Sequence, residues 1–163
     1  VSPEQLVSYI YEPAVSPHLA AQLEKRPVDM KKIQSDFHHI ATQFDIVVAE
    51  GSGGIICPLR MDSSPIMLTD VIQTLHLPIL IVAHAGLGTI NSTVLTAAYA
   101  KQHNITVNGI ILNQYDSNNL MHRDNKKQIE HLTGIPVVAC VKSNETELSV
   151  SAELLLHLCN DIS

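Results

Sequence analysis

Apolar positions along this chain alternate between helical spacing and short unbroken runs. Met30, Ile33, Phe37 and Ile40 step by three and four residues, predicting an amphipathic helix over about Asp29 to Thr42 with Asp29 as its cap. The run Ile46-Val47-Val48-Ala49 follows directly; three of its four residues are β-branched, which predicts a buried strand. Leu77 to Ala83 predicts a second strand, with Pro78 tolerated near its start, and Val107 to Leu112 and Pro136 to Val141 a third and a fourth. Helices are predicted between them. Leu68, Val71, Ile72 and Leu75 mark one, and Ile90, Val94, Leu95 and Ala98 share a face of another that runs to about His103. Asp124 is read as the cap of a helix that Gly134 stops, and the last helix covers about Leu148 to Cys159. Upstream, Ser16-Pro17 opens a short helix through about Glu24, closed by Arg26-Pro27, while residues 1–15 read as extended or irregular. Strands separated by helices, without hairpin signals, predict an α/β fold: one domain over residues 1–163 built on a doubly wound, mainly parallel sheet.

Composition narrows the class without changing that picture. With 163 residues, 45% hydrophobic and 16% charged, the chain is neither disordered nor fibrous. A net charge of −6, with basic residues forming no cluster beyond pairs such as Lys31-Lys32 or Lys126-Lys127, argues against a nucleic-acid partner. No apolar run is long enough to span a bilayer and no signal peptide is recognisable, so a cytoplasmic protein without a membrane partner is expected. Cys57, Cys140 and Cys159 are widely spaced and lack a C-x-x-C pair, which predicts reduced thiols in a core.

The candidate chemistry gathers at predicted strand ends. Glu50 ends the first strand and runs into Gly51-Ser52-Gly53-Gly54, where a carboxylate sits beside backbone able to approach an oxyanion or phosphate closely. His84-Ala85-Gly86-Leu87-Gly88-Thr89-Ile90-Asn91 follows the second strand and opens a helix whose free N–H groups suit an anion, with Thr89 and Asn91 able to add side-chain donors. Asn113 ends the third strand and Asn144 follows the fourth. Right-handed crossovers would bring all of these to one edge of the sheet. His84 is the one histidine left open there, with a structural role favoured; no Ser-His-Asp order, G-x-S-x-G elbow or H-E-x-x-H motif occurs.

Glu50-Gly51-Ser52-Gly53-Gly54 followed by Pro58-Leu59, then Leu77-Pro78, then Leu87-Gly88-Thr89-Ile90-Asn91 and Leu95-Thr96-Ala97, resemble dethiobiotin synthetase. Glu12-Pro13-Ala14-Val15-Ser16-Pro17-His18 and Arg26-Pro27 are similar to the segment that precedes that family's acidic strand. The resemblance implies a P-loop NTPase type of fold and an ATP-dependent ring closure. A diaminononanoate is carboxylated by CO2, the carbamate is phosphorylated, and the second amine closes the ureido ring of dethiobiotin, a step of biotin synthesis. It implies Glu50 as a magnesium ligand, Gly51, Ser52 and Gly53 against the reacting end of the substrate, and Ser16 as a substrate contact. It further implies Gly88, Thr89, Ile90 and Asn91 as the receiver of the substrate carboxylate across a homodimer interface. Asn113 corresponds to the residue that reads the adenine edge, and Asn144 lies in the nucleotide loop, where the family's usual proline is replaced by Val141-Lys142-Ser143-Asn144-Glu145.

That family begins with a strand and a G-x-x-x-x-G-K-[ST] P-loop, a pattern that does not occur in these residues. The expectation is therefore the C-terminal portion of a synthetase domain, lacking the P-loop strand and inactive alone. The alternatives are a P-loop-less binding or regulatory module, or another P-loop relative such as a cobyrinic acid amide synthase.

Overall fold

A computed structural model describes residues 6–148 and 150–159; the parts of the predicted opening segment and last helix at residues 1–5 and 149 lie outside the described residues. The chain divides into two compact units, Val1–His76 and Leu77–Ser163.

In the first unit, α1 (Pro17–Leu23) starts with Pro17 at its first position, and α2 (Met30–Ala41) is capped by Asp29, whose carboxylate accepts the Lys31 N–H at 2.8 Å. Both match the sequence expectation. A small antiparallel pair, β1 (Pro58–Arg60) with β2 (Ile66–Met67), was not foreseen. Its connection is held by Asp62, which accepts the Ser64 N–H and pairs with the Arg60 guanidinium at 2.8 Å. Helix α3 (Leu68–Thr74) follows, with the Asp70 carboxylate accepting the Met67 N–H at 2.7 Å. Val28, Cys57, Leu59 and Ile66 form the core of this unit, with Met30, Ile33, Leu68 and Val71 packed against them.

The predicted strand at residues 46–49 is not formed. Phe44, Ile46 and Val48 are exposed, Val48 at 86%, and the segment is irregular throughout. A strand is defined by its neighbours: without a backbone partner among the described residues, four apolar residues cannot satisfy their N–H and C=O groups in a ladder.

The second unit carries the parallel sheet, in the order β3 (Ile79–His84), β4 (Val107–Asn113), β5 (Val137–Val141). The register pairs Ile81 with Ile110, Ala83 with Leu112 and His84 with Asn113, and then Asn113 with Val141. Connections β3-α4-β4 and β4-α5-β5 run through α4 (Thr89–Gln102) and α5 (Leu120–Thr133). Ile81, Ala85, Ala97, Ile110, Leu112 and Ile129 make the core.

Three details of this unit depart from expectation. The inward face of α4 is Thr89, Thr93, Ala97 and Ala100, so Leu95 lies outside; small residues let the helix approach the sheet closely. Helix α5 begins one turn earlier than Asp124: Asn119 caps it, its side-chain oxygen accepting the Met121 N–H at 2.9 Å, while Gly134 stops it as predicted, at φ 69°. The last helix, α6 (Ala152–Leu158), is shorter than its apolar pattern suggested and is capped by Ser151. The opposite sheet face is open at Val82, 65% exposed.

Candidate functional site

The loop between β3 and α4 is held from three sides. The Ala85 N–H donates to the Asn113 carbonyl at 2.9 Å, which fastens the loop to the end of β4. The His84 ring accepts the Gly86 N–H on Nδ1 at 2.9 Å, and its Nε2 lies 2.8 Å from Gln114 Oε1. From beneath, the Asn125 side-chain amide on α5 donates to the carbonyls of Ala85 and Gly86, at 2.9 and 3.1 Å. Gly86 is required by this packing, because a Cβ there would lie 2.7 Å from His84 Cε1. His84, at the end of its strand, thus braces the loop that opens α4.

Gly88 then caps α4 at φ 90°, a left-handed conformation open to glycine. Beyond it, the Thr89 N–H makes only a long 3.4 Å bond to Gly86, and the N–H groups of Ile90 and Asn91 have no acceptor among the described residues. They add to the positive end of the helix dipole. The Asn91 side chain is exposed and makes no bond among the described residues. Thr89 differs from expectation: it is buried, with its hydroxyl 3.4 Å from that of Thr93, so it offers an anion its backbone and not its side chain.

Asn113 stands exposed at the end of β4, its Oδ1 accepting the Gln114 N–H at 2.9 Å. The second lone pair of that oxygen and both hydrogens of Nδ2 remain to meet a ring edge that presents a donor and an acceptor. Asn144 is exposed at φ 63° in the turn after β5, where Glu145 accepts the Lys142 N–H at 2.8 Å.

In the first unit, Glu50 is an exposed carboxylate with no partner among the described residues, and it does not sit at a strand end. The glycine loop behind it is ordered by two bonds: the Gly53 N–H to the Gly51 carbonyl at 2.9 Å, and the Cys57 thiol to the Ser52 carbonyl at 3.2 Å. Burial pushes the Cys57 thiol up from its ordinary pKa, so it stays protonated and able to donate. Ser16 precedes α1 with its hydroxyl making no capping bond, and next to it His18 Nδ1 is buried without a hydrogen-bond partner among the described residues.

Among the described residues no group of three or more His, Cys, Asp or Glu is placed to hold a metal ion. Glu50 is a single exposed carboxylate, a donor type that suits a hard cation such as magnesium.

Sequence reasoning missed Asn125 and Gln114. Asn125 lies one helical turn before the buried Ile129 on the same inward face, and a polar residue there was the available signal.

Residues 2–149 match the family described as an AAA domain. An ATP-dependent dethiobiotin synthetase of Clostridium botulinum (strain Alaska E43 / Type E3) is 52% identical over 139 residues, covering 85% of this chain and 61% of the relative. One from Brachyspira hyodysenteriae is 50% identical over 139 residues, 85% of this chain and 63% of its own. Another, from Clostridium botulinum (strain 657 / Type Ba4), is 46% identical over 160 residues, 98% of this chain and 70% of its own. The chain thus spans between three fifths and seven tenths of the length of these relatives.

Proposed function

Because the chain belongs to the dethiobiotin synthetase family, we propose that its protein closes the ureido ring of dethiobiotin from 7,8-diaminononanoate, CO2 and ATP. The observation that supports this reading is the start of α4, where unspent N–H groups of Ile90 and Asn91 and the free Asn91 amide offer donors suited to a carboxylate. The substrate's carboxylate is its only permanent anion, and docking it at Gly88 to Asn91 fixes the far end of the chain so that the diamine is held for reaction.

The Gly51-Ser52-Gly53 backbone lies against the reacting end, where the absence of Cβ atoms at 51 and 53 admits the carbamate. Ser16 adds a hydroxyl to the substrate. Glu50 would hold magnesium, which when bound would supply positive charge against the phosphate oxygens of ATP. Asn113 reads the adenine edge, and Asn144 borders the nucleotide. The carbamate oxygen takes the γ-phosphoryl group, and the second amine then attacks the carbonyl and expels phosphate. The receptor is completed in a homodimer, and the 163 residues form part of one synthetase domain; the chain spans 61 to 70% of these relatives.

The test is product formation by the full-length protein. Dethiobiotin that appears only with diaminononanoate, bicarbonate, ATP and magnesium together is the expected result, detected by mass. ATP consumption without that product contradicts the reading.

A further inference from the structure

We propose that Asn125 is a positioning residue for the substrate carboxylate, acting through the Ala85-Gly86 turn; this rests on the reading of the α4 start as the carboxylate receptor. Asn125 is 7% exposed and shares the inward face of α5 with the fully buried Ile129. An amide buried there must find partners. It finds two, the carbonyls of consecutive loop residues 40 and 39 positions away.

Among the described residues the Ala85 carbonyl accepts from no other donor, and the Gly86 carbonyl otherwise accepts only the long 3.4 Å bond from the Thr89 N–H. The Ala85 N–H is fixed by the Asn113 carbonyl on one side, so Asn125 supplies the opposing hold. Together they set the direction in which the chain enters Gly88, and hence where the N–H groups of Ile90 and Asn91 point. Removing the amide strands the buried Ala85 carbonyl and leaves that of Gly86 with only the long Thr89 bond, and the turn must move toward water to satisfy them. The helix start moves with it.

The discriminating comparison uses two diamines, diaminononanoate and a 1,2-diamine of similar length without the carboxylate, with wild type and Asn125→Ala in the full-length protein. The expected result is that Asn125→Ala raises the KM for diaminononanoate about tenfold, leaves kcat and the KM for ATP near wild type, and leaves kcat/KM for the carboxylate-free diamine unchanged. Equal losses with both diamines would make Asn125 a merely structural residue and overturn the proposal. A wild type that does not prefer the carboxylated diamine would instead overturn the receptor reading itself. Should Asn125→Ala fail to fold, Asn125→Ser, with a donor too short to span both carbonyls, must show the same substrate-dependent loss.

Discussion

His84 and Gln114 meet across the end of the parallel sheet, imidazole Nε2 to amide Oε1 at 2.8 Å, while the other ring nitrogen accepts the Gly86 N–H. An Nδ1 that accepts leaves the ring proton on Nε2, where it donates to Gln114. One ring therefore ties the residue beside Asn113 to the loop that opens α4.

Gly86→Ala puts a methyl group 2.7 to 2.8 Å from that ring. The expected loss is about 1 to 3 kcal/mol in denaturant titration, as for other overpacked sites. Made in a His84→Ala background the same change should cost clearly less, and additive losses in the double mutant would count against the packing described.

Asn119→Ala removes the cap of α5 and should destabilise by about 1 kcal/mol. Asp124→Ala, inside the helix and exposed, should stay within about 0.5 kcal/mol. Equal effects, read from urea midpoints, would return the helix start to Asp124.

The second unit was the more legible part of the sequence. Its strands were found because Ile79–His84, Val107–Asn113 and Val137–Val141 are mostly apolar, interrupted at Asn108 and Gly109 and ended by His84 and Asn113, and pair with one another, so each run's prediction is met by its neighbour. The run at 46–49 looks the same in sequence but forms no ladder, since pairing depends on partners that a local pattern does not contain. The β1–β2 pair escaped notice because strands of three and two residues carry no period. Of the candidate site, the glycine-rich turns were visible, but Asn125 was not: an asparagine in a helix ordinarily reads as solvated surface. Thr89 was misread for the converse reason, its hydroxyl being buried against Thr93.

Glu50→Gln removes a charge that no described neighbour uses. Thermal stability should remain at the wild-type value while magnesium-dependent turnover of the full-length protein is abolished. Retained turnover would take Glu50 out of the mechanism.

Burial raises the Cys57 and Cys140 thiols above their ordinary value of 9.0. Above that pH the unfolded chain releases these protons while the native state keeps them, so the native state binds more protons and stability falls as pH rises. Cys57→Val should flatten the decline between about pH 8 and 10, measured by urea unfolding at each pH. An unaltered slope would show that the Cys57 proton is not held by the fold.

Which substrate meets the start of α4 is read from the kinetics of Asn91→Ala in the full-length protein. With diaminononanoate and ATP varied in turn, the expected result is a KM for the diamine raised about tenfold with the KM for ATP unchanged. A loss confined to ATP would contradict it.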